Sequence, residues 1–133
     1  MPHDDAETSE TAPWQDPARP VAERVEDLLG RLSLEEKLAQ LVGLWAGVST
    51  TDGVAPHQST MADGVPPWQE AIAHGLGQLT RPFGTAPVDP VEGARALAAA
   101  QAQIVAASRF GIPAQVHEEC LTGFAAWRAT VYP

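Results

Sequence analysis

The residues best suited to chemistry lie at 117–120, where the sequence reads His-Glu-Glu-Cys. They directly follow "GIPAQV" at 111–116, an apolar stretch led by glycine and proline. An apolar run that ends in ionisable groups is typical of a buried strand whose end meets a ligand cleft. The alternative for Glu118 and Glu119 is a solvated strand end, because charged pairs usually lie on the surface.

Other chemistries fit these residues less well. Neighbouring side chains on a strand point to opposite faces, so residues 117–120 cannot converge on one ion, and we expect no metal site. Cys120 has no candidate base nearby in the sequence, so we predict a buried structural thiol and not a nucleophile. "GLGQLT" begins like a dinucleotide fingerprint but has Thr80 in place of the third glycine, and we expect no cofactor. His57 and His74 are interpreted as surface residues.

Length and composition restrict the possible classes of protein. A chain of 133 residues has the size of one domain. Its 8 basic and 17 acidic residues give a net charge of −9, which argues against nucleic acid as a partner. No apolar run approaches the roughly 20 residues that span a membrane, and the first ten residues carry acids where a secretory signal carries basic groups. With one cysteine and no asparagine, the sequence predicts a cytoplasmic protein.

The first third of the chain predicts a leader and two short helices. Residues 1–17 are acidic and proline-dotted, which is typical of a flexible segment, and Trp14 is its one large apolar group able to dock. Residues 18–133 form the predicted domain. Apolar residues at helical spacing predict a first helix over 20–32. A capping-box pattern, "SLEE" from Ser33, predicts a second helix that continues to Val42.

The remainder predicts a strand, a helix and a second strand. Residues 47–69 have no usable period and are predicted to be a long loop. A strand is predicted at Gln78–Thr80, and Asp89 followed by Pro90 predicts the start of a helix that continues through Ser108. A second strand is predicted at 112–116, parallel to the first with a right-handed crossover. The predicted inward stripe of the long helix is Val91, Ala94, Leu97, Ala98, Gln101, Ile104 and Val105.

Four stretches of this chain resemble the N-terminal domain of glycoside hydrolase family 3, the β-glucosidases and β-xylosidases. They are "PVAERVEDLLGRLSLEEKLAQL" at 20–41, "GLGQLTRPFG" at 75–84, "GIPAQVHEECLTGF" at 111–124 and "ATVYP" at 129–133. The stretches occur in the family's order. The pairing of "RLSLEEKLAQL" with "GIPAQVHEECLTG" is the more specific part of this resemblance.

The resemblance implies an α/β fold that is part of a (β/α)8 TIM-type barrel, comprising its opening helices and first βαβ unit. It implies a retaining glycosidase that acts on β-linked glucosides or xylosides, whose partners here would be the rest of the barrel and a C-terminal domain. Glu119 aligns with the family's sugar-binding acid. Arg81, also at a strand end, would line the sugar cleft or form a surface salt bridge. The family's nucleophile and acid/base lie beyond Pro133, so we expect no turnover from this chain alone.

Two positions depart from the family pattern, which often has histidine where Thr122 stands and glycine where Arg128 stands. A charged, long side chain at 128 puts the geometry of that turn in question. Two other classes of function stay open. One is a noncatalytic αβ module that binds sugar or another subunit. The other is an unrelated enzyme that uses the glutamate pair, which would require hydrolytic activity that is lost in Glu119→Gln.

Overall fold

A computed structural model describes residues 12–45, 66–85, 87–121, 123–124 and 126–130. The chain divides into two compact units, one ending at Leu34 and the other beginning at Glu35. Of the helices in these ranges, none is long and apolar enough to cross a bilayer. The predicted boundary between a leader at 1–17 and the domain stays a prediction, since residues 1–11 lie outside the described ranges.

The first unit contains a 3-10 helix (Pro13–Gln15) and helix α1 (Val21–Arg31). The Trp14 N–H donates to Asp27 Oδ2 at 3.2 Å, and Arg24 Nε donates to the Trp14 carbonyl at 3.0 Å. These two bonds hold the short helix against α1 through the backbone of Trp14. Helix α1 agrees with the prediction from its apolar spacing.

Helix α2 (Leu34–Ala39) begins with the last residue of the first unit and otherwise belongs to the second. The second unit also has helices α3 (Trp68–Ala71) and α4 (Pro90–Ala107) and strands β1 (Gly43–Trp45), β2 (Gln78–Thr80) and β3 (Gln115–His117). The strands form one parallel sheet in the order β1-β2-β3. The predicted strand at Gln78–Thr80 and its parallel pairing are confirmed. The fold is therefore α/β with a parallel sheet, consistent with part of a (β/α)8 barrel.

The prediction of two strands was wrong in number, because β1 precedes them. Helix α2 ends at Ala39, not Val42, and the chain turns there through the bonds Leu41 N–H to Leu38 O and Val42 N–H to Ala39 O. Strand β1 begins immediately after this turn. The apolar run from Leu41 looked like a helix end because three-residue strands are too short to show a period of two.

Strand β3 begins at Gln115, not at residue 112 as predicted. Pro113 has no N–H to give to a sheet. Ala114 gives its backbone groups to a side chain: its N–H donates to Gln101 Oε1 at 3.0 Å, and its carbonyl accepts from Gln101 Nε2 at 2.7 Å. The strand can therefore pair with β2 only from the next residue onward.

Helix α4 begins as its capping residue predicts. Asp89 Oδ1 accepts the Val91 N–H at 2.9 Å and the Glu92 N–H at 3.4 Å, and Pro90 occupies the first helical position. The predicted long loop at 47–69 falls largely on residues 46–65, which lie outside the described ranges. Its last residues belong to α3, which begins at Trp68.

The core lies between α4 and one face of the sheet. Its buried residues are Ile72, Leu76, Leu79, Ile104 and Ala114, and Leu44, Trp68, Leu97, Ala100, Ala107 and Val116 pack against them. The predicted inward stripe of α4 was wrong in part, since Val91 and Val105 are 57% and 38% exposed and Ala94 and Ala98 are also exposed. Alanine occurs on nearly every side of this helix, so the sequence gives little indication of which side is buried. The two hydrogen bonds between the Gln101 side chain and the Ala114 backbone orient the helix on the sheet.

Candidate functional site

The candidate site lies where the three parallel strands end. Trp45, Thr80 and His117 are aligned as the last residues of β1, β2 and β3. The preceding row, Leu44, Leu79 and Val116, belongs to the core, and side chains alternate along a strand, so the final row faces away from α4. The carboxyl edge of a parallel sheet is where α/β proteins place their ligands.

Two of the three final residues, Thr80 and His117, are polar and hydrogen-bonded to each other. Thr80 Oγ1 lies 2.6 Å from His117 Nε2 across neighbouring strands, and which of the two atoms donates depends on the histidine tautomer. The Arg81 N–H donates to the His117 carbonyl at 2.8 Å, which extends the pairing of β2 and β3 by one residue. The chain therefore leaves both strands at a fixed place, immediately before Arg81 on one strand and Glu118 on the other.

The structure brings the two predicted site residues together. Arg81 Nη1 lies 3.8 Å from Glu119 Oε2, with 19% of the arginine side chain and 68% of the glutamate side chain exposed. The sequence interpretation left Arg81 either in the cleft or in a salt bridge, and it now has an ionic contact with the other candidate residue. A pair this long with one exposed partner contributes about 1 kcal/mol or less to folding. The exposed Glu119 side chain can therefore reorient toward a ligand at small cost.

Arg81 adopts an uncommon backbone conformation, with φ at +52°. A residue with a β-carbon in this left-handed region costs about 1–2 kcal/mol. Bonds within the turn at 81–85 offset that cost: Arg81 Nη2 donates to the Gly84 carbonyl at 2.9 Å, and Thr85 Oγ1 donates to the Arg81 carbonyl at 2.8 Å. Such strained residues persist where their surroundings determine them, which is frequent at ligand sites.

Trp45 is a site residue that the sequence analysis missed. Its ring lies under Arg81, whose guanidinium carbon is 5.0 Å from the ring centroid, in a cation–π contact. Its indole Nε1 donates to Thr85 Oγ1 at 2.6 Å. Arg81 Nε is buried and has no hydrogen-bond partner among the described residues. The sequence signal for this residue is its place at the end of the apolar segment "GLW". That signal becomes informative only once the segment is known to be strand β1.

The two adjacent glutamates have different environments. Glu118 is half-buried, and its Oε1 accepts the backbone N–H of Phe83 at 2.6 Å. Glu119 is exposed and lies beside Arg81. The alternative of a solvated strand end therefore fails for Glu118, which is bound within the protein. Glu119 is the one whose carboxylate is open to a ligand.

The prediction of a buried thiol at Cys120 was wrong, because this cysteine is exposed. Strand β3 ends at His117, so residue 120 lies beyond the part of the chain that the sheet covers. Within the described ranges, no group of three or more histidine, cysteine, aspartate or glutamate side chains could hold a metal ion. His74 is exposed, whereas His57 and Thr122 lie outside the described residues.

Arg128 has φ at +63°, in the region that favours glycine. Its guanidinium carbon lies 4.3 Å from the centroid of the Trp127 ring. The charged side chain is accommodated by stacking on its neighbour while the backbone keeps the turn that a glycine would adopt.

No protein-family model and no curated protein matches the chain. Among solved structures, the chain is similar to the β-glucosidase EmGH1 from Erythrobacter marinus, with 31% sequence identity and a TM-score of 0.58. The similarity covers 87% of this chain and 14% of that one. The chain thus spans about one seventh of the enzyme it resembles.

This similarity supports a relationship to glycoside hydrolases. It extends over most of the chain. It does not support family 3 specifically, and it does not address β-xylosidases. The fold and the sequence identity together agree with a fragment of a β-glycosidase.

Proposed function

We propose that this chain is the N-terminal part of a retaining β-glycosidase of the family 3 type, which removes terminal β-glucosyl or β-xylosyl residues. Its role in that enzyme is to supply part of the sugar-binding wall through Glu119 and Arg81. The observation that carries the proposal is the convergence of these two side chains at the carboxyl edge of three parallel strands. Identity of 31% to a β-glucosidase over 87% of the chain supports the same assignment.

The chemistry of the two side chains suits a sugar. An ionised carboxylate accepts two directed hydrogen bonds from neighbouring hydroxyls, and a guanidinium donates up to five. Glu119 is exposed and is paired only loosely with Arg81 Nη1, at 3.8 Å. A hydroxyl group placed between them could bind both. The ring of Trp45, which fixes the guanidinium plane from one side, limits the directions in which Arg81 can donate.

Catalysis is assigned to residues outside this portion. Retaining hydrolysis requires two carboxyl groups about 5–5.5 Å apart, one as nucleophile and one as acid/base. Glu118 accepts the Phe83 N–H and is thereby committed to the protein. That leaves Glu119 as the exposed carboxylate of the pair, beside the Arg81 guanidinium, where it can accept hydrogen bonds from a ligand. The rest of the barrel and a C-terminal domain would provide the reacting carboxylates.

A noncatalytic αβ module is the second candidate. The observation that favours it is the three-stranded sheet with a buried cluster of its own, which is a larger folded unit than two strands would give. Such a module would bind sugar at the same edge of the sheet without hydrolysing it. The two candidates share Glu119 as a ligand-binding residue and differ in turnover.

The first experiment is the intact mass of the native protein, recovered through an antibody to residues 20–45, followed by assays with aryl β-glucosides and β-xylosides. A mass well above 14.1 kDa together with hydrolysis of either substrate is the expected result. A mass near 14.1 kDa without hydrolysis would favour the noncatalytic module.

Binding of D-glucose and D-xylose to the intact gene product, measured by calorimetry, tests the site itself. Glu119→Gln should weaken binding at least tenfold, because charge-assisted hydrogen bonds become neutral ones. Glu70→Gln, at an exposed position on α3, is the matched control and should leave affinity unchanged. Equal affinities of wild type and Glu119→Gln would remove Glu119 from the site.

A further inference from the structure

Glu118 joins two segments that are 35 residues apart in the chain. Its carboxylate oxygen Oε1 accepts the backbone N–H of Phe83 at 2.6 Å, linking the end of β3 to the turn after β2. This distance is at the short end of the range for hydrogen bonds from a backbone N–H to an oxygen acceptor. The contact is half-buried, so water competes with it less than at an open surface.

The turn that receives this bond carries Arg81. At its other end, Thr85 Oγ1 accepts from the Trp45 indole and donates to the Arg81 carbonyl. The Phe83 ring lies against Gly93 of α4. The backbone N–H of Phe83 belongs to the same turn and donates to the Glu118 carboxylate. The carboxylate thus fixes the middle of the turn, while Trp45 fixes its end.

Arg81 depends on this arrangement more than an ordinary turn residue would. Its left-handed backbone conformation is intrinsically unfavourable and is maintained by the surrounding bonds. If the turn relaxed, the backbone would move toward a right-handed or extended conformation. The guanidinium would then leave its place between Trp45 and Glu119.

We propose that Glu118 is a positioning residue for sugar binding, which acts through the Phe83 amide to hold Arg81 in its binding orientation. This inference rests on the proposed function, since it concerns the same sugar site. It assigns different tasks to two adjacent glutamates: Glu119 contacts the sugar, and Glu118 shapes the turn that presents Arg81. Hydrogen-bond acceptance, not negative charge, is the property that position 118 must keep.

The test compares Glu118→Ala, which removes the acceptor, with Glu118→Gln, whose amide oxygen still accepts. Calorimetry with D-glucose and D-xylose on the intact gene product should show at least tenfold weaker binding for the alanine variant and less than threefold for the glutamine variant. Glu70→Ala is the control for loss of an exposed carboxylate and should match wild type. Equal losses in Glu118→Ala and Glu118→Gln would overturn the proposal, as would unchanged affinity in Glu118→Ala.

Hydrogen–deuterium exchange, resolved to single residues by fragmentation, provides a readout that does not depend on sugar. The Phe83 amide should be protected in wild type and in Glu118→Gln and should exchange rapidly in Glu118→Ala, while the amides of α4 stay protected in all three. Rapid exchange of Phe83 in wild type would overturn the proposal even if Glu118→Ala failed to fold.

The same measurements separate this inference from the proposed function. If Glu119→Gln weakens binding and Glu118→Ala does not, the positioning role fails and the sugar site stands. If wild type binds neither sugar, the proposed function fails, and with it the role of Glu118 in sugar binding. The exchange pattern of Phe83 would then describe a structural bond only.

Discussion

The Phe83 ring lies so close to the α-carbon of Gly93 that a β-carbon at position 93 would overlap ring atom Cε1 and stand 2.9 Å from Cδ1. Gly93 belongs to the first turn of α4, and Phe83 belongs to the turn that carries Arg81. Val88 Cγ1, at 3.3 Å from the same point, closes the space further. The glycine is therefore a packing requirement within a helix, where alanine would otherwise be preferred.

We predict that Gly93→Ala lowers the free energy of unfolding by about 1–3 kcal/mol, the usual cost of overpacking. Helix propensity alone would give a gain of nearly 1 kcal/mol. Gly30→Ala in α1 is the matched control, because a β-carbon there meets nothing within 4 Å and should stabilise by a few tenths to about 1 kcal/mol. Urea denaturation measures both. A stabilised Gly93→Ala would contradict the contact with Phe83.

The side chain of Gln101 replaces a strand neighbour for Ala114, accepting its N–H and donating to its carbonyl. We predict that Gln101→Met costs about 2–4 kcal/mol, because two backbone groups beside the buried Ala114 lose their partners at about 1–3 kcal/mol each. Arg95→Met, at an exposed position on α4, is the control and should cost less than about 1 kcal/mol. If thermal or urea denaturation gave similar losses for the two variants, the bonds of Gln101 would not determine the orientation of the helix.

Position 128 allows backbone strain to be separated from side-chain stacking. We predict that Arg128→Gly is more stable than Arg128→Ala by about 1 kcal/mol, since alanine retains the left-handed strain and loses the stacking on Trp127. Unfolding free energies of the two variants give the comparison directly. Alanine as stable as glycine would mean that residue 128 does not hold a positive φ in solution.

Asp27 should make the first unit sensitive to acid. Its hydrogen bond with Arg31 is the largest cause that lowers the pKa of Asp27 below its ordinary value of 3.8. A carboxyl group whose pKa is lower in the folded state stabilises fully above the unfolded pKa and loses this contribution as the pH falls through the folded pKa. Protection of the Trp14 amide, which Asp27 accepts, should therefore be constant near neutral pH and decline below about pH 4.

Asp27→Asn should remove most of that decline and reduce the protection of Trp14 at neutral pH. Glu26→Gln, at the neighbouring exposed position, is the control and should retain the wild-type profile. Amide exchange at a series of pH values, corrected for intrinsic rates, provides the data. An Asp27→Asn profile that declined like that of wild type would assign the acid sensitivity to another group.

The features predicted correctly from the sequence have local causes. Asp89 and Pro90 determine the start of α4 without tertiary help, and the apolar spacing that begins at Val21 determines α1. For both helices, the residues that determine the start lie within a few positions of one another in the sequence. The proximity of Arg81 and Glu119 is a finding of the structure, and topology explains it, since both residues follow parallel neighbouring strands at the same edge. Their role in sugar binding stays a prediction.

The features that were missed depend on contacts between distant segments. β1 is three residues long and exists because β2 pairs with it, so its own sequence carries little signal. The start of β3 is set by a glutamine 14 positions earlier in α4, Gln101. Trp45 could be assigned to the site only after β1 was known. The bond from the Phe83 N–H distinguishes the environment of Glu118 from that of Glu119. The exposure of Cys120 follows from where β3 ends, which was itself mispredicted.

Cys120 stands next to Glu119, is exposed, and is the single cysteine of the chain. A maleimide dye would therefore attach at one place without any engineered thiol, one residue from the proposed sugar-binding carboxylate. The fluorescence of that dye would respond to occupancy of the site in the unmutated sequence. The position whose burial was mispredicted thus supplies a natural optical reporter for titrating candidate sugars against this protein.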